Sequence, residues 1–417
     1  MEVKGWGSSV FFKNSDKSLK EKAEALGAEE IVTGSIEKDS DRVLIRVELT
    51  EANTGKRIWG DEYNRQWGDI LNIQTEVAQK IANALNTKLT PQEERDILIH
   101  NTENVEAYKF YRKGRYLWDK RTKESFDSAE VNYKHAIDLD PDYALAYSGL
   151  ADLYIYTQNG LPPLKAIPIA RDYALKALSL DSTLSEALTT IGFIQSAFDY
   201  DWAKSKNTLE KAIRLNPNYP IAHVYYGNLL QYTGENTDEG IKEVKKALEL
   251  DPLSVSVNWV LGRNYYLAKR YDLAYEQLKK TLILGPNYTL AKGTLIYVAL
   301  ERKNFDEAMQ LIKQLKIKDI WDYQGPYLCY YYAVAGDTTR AKAELMKIIR
   351  DYPDQSPYHL ARCNVVLKNY SVALDELEQA YSQKDIRIYN YLKTDPILDP
   401  IRIEPRFKAL LKKINLD

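Results

Sequence analysis

A small residue returns along this chain at Ala129, Ala170, Ser205, Gly240, Ala274, Ala308, Ala341 and Ala373, with spacings of 41, 35, 35, 34, 34, 33 and 32 residues. A period of that length, held across most of a sequence, points to a solenoid in which each unit packs only on its neighbours. Such a core grows one unit at a time, so the 417 residues need not be divided into domains of ordinary size. The period also shifts the functional expectation toward binding and away from catalysis.

Each unit reads as two helices. From Asn218-Tyr219-Pro220 the first helix runs through Tyr226, Gly227 and Leu230 and breaks at Thr233-Gly234-Glu235-Asn236. The second carries Ile241, Val244, Ala247, Leu248 and Leu250 at helical spacing and stops at Asp251-Pro252. Proline cannot continue a helix, so Pro141, Pro217, Pro252, Pro286 and Pro353 punctuate the units. Helix axes approach to about 8–10 Å where the crossing residues are short. The first helix supplies Ala151, Gly192, Gly227 and Gly262 for this, and the second supplies the periodic series.

The stretches Leu139-Asp140-Pro141-Asp142-Tyr143, Leu215-Asn216-Pro217-Asn218-Tyr219 and Leu284-Gly285-Pro286-Asn287-Tyr288 resemble the junction between units of the tetratricopeptide repeat family. The resemblance implies a mainly α fold, a right-handed α-solenoid or superhelix, here preceded by a small α+β domain. Eight units are expected within 105–384, at 105–139, 144–180, 185–215, 220–250, 255–284, 289–320, 322–353 and 354–384. The second carries a longer turn around Leu161-Pro162-Pro163-Leu164, and the sixth lacks its terminal proline. Residues 385–417, with a last helix near Phe407–Ile414, are read as a C-terminal capping segment.

Before Asn104 the pattern changes. Lys17–Leu26 reads as a helix capped by Ser18 three residues before Glu21. Glu30–Glu37, Arg42–Thr50 and Arg57–Tyr63 read as strands, with Val43, Ile45, Val47 and Leu49 alternating against polar neighbours. An amphipathic helix follows at Asp69–Leu85, with Ile70, Ile73, Val77, Ile81 and Leu85 on one face. This segment, 1–90 with a linker at 91–104, is similar to the later part of the FlgO-like, or TolB-amino-domain-like, domain. The matching residues are Leu26-Gly27-Ala28-Glu29-Glu30-Ile31-Val32-Thr33-Gly34-Ser35, Thr54-Gly55-Lys56-Arg57-Ile58-Trp59 and Asp69-Ile70. The resemblance implies a missing first strand and helix, hence an unpaired sheet edge and a homodimer through this domain as one use for it. It also implies a setting in bacterial multidomain signalling proteins.

Lys and Arg total 57 against 59 Asp and Glu, which gives no global attraction to nucleic acid. Two cysteines, Cys329 and Cys363, are too few for a disulfide framework and are read as core residues. No apolar run is long enough to insert in a membrane, and Met1-Glu2-Val3-Lys4 has no signal-peptide pattern. A cytoplasmic location is expected, with a periplasmic or membrane-associated one through a missing upstream segment as the alternative. His100, His135, His223 and His359 are scattered, Glu37, Asp39 and Asp41 read as a solvated hairpin loop, and Asp199 and Asp201 as helix caps. No catalytic residue, metal site or cofactor is expected.

The family resemblance places the first helix of each unit along a concave groove, with its positions 9, 12 and 13 facing a ligand. Here these include Asp152, Tyr156, Asn228, Gln231, Tyr232, Arg263, Tyr266 and Tyr297, with Trp259 at position 5. Asn228 and Arg263 take the same position in adjacent units and are expected to hydrogen-bond one extended peptide. The function expected is a non-enzymatic scaffold for a protein or peptide partner in bacterial signalling or regulation. The alternatives are a regulatory or sensory module of a split or truncated signalling protein of cyclase, kinase or transcriptional-regulator type, and an enzyme-associated substrate-recognition arm.

Overall fold

The computed structural model describes residues 3–5, 8–9, 11–12, 15–86, 102–119, 123–157, 161–315, 324–353 and 355–417. The expected linker at 91–104 and His100 lie mostly or wholly outside them. Two compact units emerge: Met1–Gly160 with Ile169–Thr190 and Glu249–Leu253, and Leu161–Pro168 with Ile191–Leu248 and Ser254–Asp417. The fold is mainly α, an α-solenoid of helical hairpins preceded by a small α+β domain.

In the first unit, α1 (Leu19–Leu26) opens on a capping box between Ser18 and Glu21 and closes at Gly27, which takes φ 60°. Three antiparallel strands follow in the order β1-β2-β3: β1 (Glu30–Asp39), β2 (Arg42–Glu51) and β3 (Arg57–Gln66). Val43 and Ile45 of β2, with Tyr63 of β3, form a core with Ile70, Leu71 and Ile73 of α2 (Ile70–Ala84). α2 lies over β2 and β3 and leaves the same face of β1 bare. Helices α3 (Val105–Asp119) and α4 (Lys123–Leu139) form the first hairpin, and α5 (Ala144–Thr157) and α6 (Pro163–Leu180) the second. The ring of Tyr133 fills the space that Gly114 and Gly149 leave: a Cβ on either would come within 2.6 or 2.7 Å of it.

α7 (Ser185–Ala197) begins in the first unit, and its second half belongs to the second. There it meets α8 (Trp202–Leu215), where Leu209 occupies the space beside Gly192. Further hairpins are α9 (Pro220–Thr233) with α10 (Thr237–Leu250), α11 (Val255–Leu267) with α12 (Tyr271–Leu284), and α13 (Thr289–Glu301) with α14 (Phe305–Lys313). α15 (Gly325–Val334) with α16 (Thr338–Asp351) and α17 (Pro357–Val366) with α18 (Tyr370–Ser382) complete the array. Their spacing follows the small-residue period of about 34 residues, one helix–turn–helix to a repeat. Gly227 and Gly240 face each other so closely that a Cβ on either would sit 2.5–2.6 Å from the other's carbonyl oxygen.

First and second helices are buried differently. α12 buries one stripe, Ala274, Leu278 and Thr281, whereas α13 buries nearly every residue from Ala291 to Leu300. A helix buried all round must be covered on both sides. In the second unit the cover is the end of the chain. After α18, the short helix α19 (Ile386–Tyr391), a 3-10 turn (Pro396–Ile401) and α20 (Pro405–Lys413) bury Ile388, Tyr389, Leu392, Ile397, Leu398, Ile401, Phe407 and Leu410. This segment was expected to end the array, and it also lines the first helices.

Candidate functional site

The residue after each small first-helix residue sets the chemistry of the hairpin face. Arg115 follows Gly114, Asp152 follows Ala151, Asn228 follows Gly227 and Arg263 follows Gly262. In both units these residues bond to each other across adjacent hairpins. Arg115 Nη1 lies 3.3 Å from Asp152 Oδ2, and Arg263 Nη2 donates to Asn228 Oδ1 at 2.9 Å.

In the second unit the face is closed. Asn228, Gln231, Tyr232, Arg263, Tyr266 and Tyr297 are all buried, and Trp259 is half-buried. Asn264 Nδ2 also donates to Asn228 Oδ1, and Gln231 Nε2 donates to the Asn264 carbonyl. The Arg263 guanidinium stacks over Trp259 at 4.8 Å and Tyr232 at 5.5 Å. Asn228 and Arg263, expected to hydrogen-bond one extended peptide, bond to each other in this structure beneath the chain's own end. Tyr389 of that end stacks on Trp202 and meets Tyr232 edge-on, with centroids at 5.4 and 5.2 Å. Trp202 Nε1 donates to the Ile414 carbonyl at 2.6 Å.

The chain's end also brings a buried polar anchor, Asp395, 2 % exposed. It pairs with Arg362 of α17 at 3.0 Å and accepts from the Tyr358 hydroxyl at 2.8 Å. Burial disfavours the Arg362 cation, but Asp395 and the rings of Tyr297 and Tyr266 outweigh it and keep it charged. The Arg362 guanidinium also lies 4.1 Å from the Tyr297 ring centroid. Burial pushes the hydroxyls of Tyr232, Tyr266, Tyr297 and Tyr358 well above the ordinary phenol range.

In the first unit the equivalent face is partly open. The side chains of Arg115 and Asp152 are 21 % and 14 % exposed. Thr190 of α7 donates to Asp152 Oδ1 at 2.6 Å, and Arg115 lies over Trp118 at 4.5 Å. Glu186, half-buried one turn before Thr190, completes the cluster. Burial raises its carboxyl above the usual range, its own backbone N–H and Arg115 oppose that, and Asp152 adds to it. Three successive first helices thus bring together Arg115, Asp152 and Glu186, with the Arg112 cation of α3 acting on the same Tyr111. Tyr156 belongs to α5, but its side chain lies outside the described residues. Arg115, Glu186 and Thr190 escaped the sequence reading, although Gly114-Arg115 repeats the small-then-polar pair of Gly227-Asn228 and Gly262-Arg263.

Cys329 and Cys363 are buried thiols. His223 is buried between Glu243 and the Pro217 carbonyl, at 2.7 and 2.9 Å. Asp201 caps α8 by accepting from the Lys204 N–H. Among the described residues no group of three His, Cys, Asp or Glu side chains is placed to hold a metal ion. No helix among them is long and apolar enough to cross a membrane.

No family model matches the chain. It is 27 % identical over 160 residues to "Putative adenylate cyclase 3" of Rhizobium meliloti, covering 37 % of this chain and 27 % of that protein. It is 21 % identical over 226 residues to "Transcriptional regulator HilA" of Salmonella typhimurium, covering 54 % of this chain and 34 % of that protein. The chain therefore spans about a third of the length of these relatives or less. Among solved structures, a Pseudomonas aeruginosa pilF protein aligns with TM-score 0.41 at 17 % identity, over 56 % of this chain and 97 % of that one. Yeast Tom70 aligns with TM-score 0.42 at 19 % identity, over 74 % of this chain and 67 % of that one.

Proposed function

We propose that this chain is a non-enzymatic scaffold that holds a protein partner on the first-helix face of its first unit. The observation that carries the reading is the cluster Arg115–Asp152–Thr190 with Glu186. Three successive hairpins bring it together, it remains partly open, and it sets the Asp152 and Glu186 carboxyl groups side by side with Arg115, with Arg112 nearby. The partner that fits is an extended segment bringing a basic side chain to Asp152 and Glu186, with Arg115 exchanging its Asp152 pairing for a carbonyl or carboxylate of the segment. The second-unit residues Asn228, Gln231, Tyr232, Trp259, Arg263, Tyr266 and Tyr297 enter this reading as the seat of the chain's own end, open to a partner only when residues 386–417 leave. The partial likeness to a protein named for adenylate cyclase and to one named a transcriptional regulator supports a setting in bacterial signalling, as a regulatory module without chemistry of its own. The FlgO-like relationship of residues 1–90, and association of two copies through that domain, belong to the same proposal.

A photo-crosslinking residue placed at Glu186, and as a control at Val131, an exposed position on α4, tests the surface in native cells. The expected result is a discrete cross-linked partner from position 186, lost when Asp152→Lys is added, and none from 131. Equal products from both positions, or no effect of Asp152→Lys, would overturn the assignment of this face.

A further inference from the structure

β1 is an edge strand of unusual exposure. Of its ten residues only Ile31 is even partly covered. Val32 and Ile36 are 49 % and 64 % exposed, although they point to the same side of the sheet as the core residues Leu49 and Ile45 opposite them. A long, uncovered edge with apolar side chains beside it is a template for another strand.

The hairpin geometry decides which backbone groups face that edge. Asp39 and Arg42 flank the two-residue turn Ser40-Asp41, in which Ser40 takes φ 53°. Residues flanking such a turn exchange both of their hydrogen bonds, and the pairing then alternates along the ladder. The odd-numbered residues from Ile31 to Asp39 therefore direct their N–H and C=O groups to β2. Glu30, Val32, Gly34, Ile36 and Lys38 direct theirs to the free edge.

We propose that β1 pairs antiparallel with β1 of a second copy of this chain, about a twofold axis at Gly34. That register sets Val32 against the partner's Ile36 and Glu30 against the partner's Lys38, each pair occurring twice. All four are residues whose backbone groups face the edge, so the ladder closes with them. The charges are opposite, and the apolar residues continue the sheet's core-side face across the axis. Gly34 meets its own copy at the centre. It is already required within the sheet, since a Cβ there would lie 2.6 Å from the Arg46 carbonyl oxygen. A slide of two residues in either direction sets Gly34 opposite Ile36 or Val32 and leaves the charges unmatched. The partner is thus recognised by self-complementarity.

This inference deepens the association of two copies through the N-terminal domain and adds its register. The experiment is light scattering and sedimentation of the full chain, with circular dichroism and thermal midpoints as controls for folding. The wild type is expected to dimerise. Lys38→Glu and Glu30→Lys are each expected to weaken the dimer roughly tenfold, because each places like charges opposite one another at two sites. The double variant Glu30→Lys/Lys38→Glu is expected to restore it. Lys38 also lies 4.4 Å from the Trp67 ring centroid. Loss of that contact persists in the double variant, so rescue isolates the cross-strand pair. A monomeric wild type at its highest soluble concentration would overturn both register and association. A dimer indifferent to either single charge reversal, or not rescued by the double one, would overturn the register alone.

Discussion

Two pairs of residues hold the same place in the repeat and have different fates. Arg115–Asp152 in the first unit and Arg263–Asn228 in the second both join the first helices of neighbouring hairpins. The first pair is carboxylate-bearing and partly solvated, and the second is neutral on the acceptor side and buried beneath the chain's own end. The difference follows from what surrounds each pair. Around Arg263 lie Tyr232, Trp259 and Tyr266, an aromatic surface that water solvates poorly and that Tyr389, Ile397 and Leu398 cover. Around Arg115 lie Trp118, Asp152, Glu186 and Thr190, a mixed surface in which Thr190 hydrogen-bonds Asp152 and the ion pair keeps some exposure. One repeat geometry thus yields a self-filled face and a face that keeps partial exposure.

The largest test of that contrast is Asp395→Ala. It leaves Arg362 buried without its counter-charge and removes the acceptor of the Tyr358 hydroxyl. Breaking a buried pair on one side costs about 3–5 kcal/mol, so the midpoint of urea unfolding should fall steeply. Hydrogen exchange in α11, α13 and α17 should quicken before that in α3 and α5. If exchange is unchanged there, the chain's end does not close the second-unit face.

Arg115→Ala should cost far less, about 1 kcal/mol or under, because its ion pair is partly solvated. The same urea titration checks this. A loss comparable with that of Asp395→Ala would mean that the two faces do not differ as described.

The smallest effect should be a slope in pH. Glu186 has a carboxyl raised by burial, so the folded state holds its proton more tightly than the unfolded chain does. Its contribution is fully present below the unfolded value of 4.5 and is lost as pH rises through the folded value. Glu186→Gln should flatten stability against pH in that window and leave the wild type relatively less stable above it. Parallel curves for the two proteins would remove Glu186 from the cluster.

The helices themselves were legible. Gly227, Gly262 and the periodic alanines mark the crossings because a larger residue would collide with Val244 or Leu278 within the hairpin, a local constraint. The strands from Glu30, Arg42 and Arg57 were equally plain from alternation. The ends of β1 and β3 were read short, since both continue to Asp39 and Gln66 through polar residues that ladder pairing carries. Of the candidate site, Asp152 was found by position and remains on a partly open face. Asn228, Gln231, Tyr232, Arg263, Tyr266 and Tyr297 were found by the same rule but are interior. A signal existed: α9, α11 and α13 are apolar around most of their surface, which requires a cover, and Ile386–Ile401 is an apolar-rich stretch outside the period that needs one.

By itself, the sequence determined the hairpins, their spacing and the small antiparallel sheet, because each depends on residues a turn or a strand apart. Only the tertiary structure decided which first-helix face is filled. That depends on Asp395 meeting Arg362 and Tyr389 meeting Trp202, the latter across more than 180 residues of chain, and no local pattern encodes such a meeting.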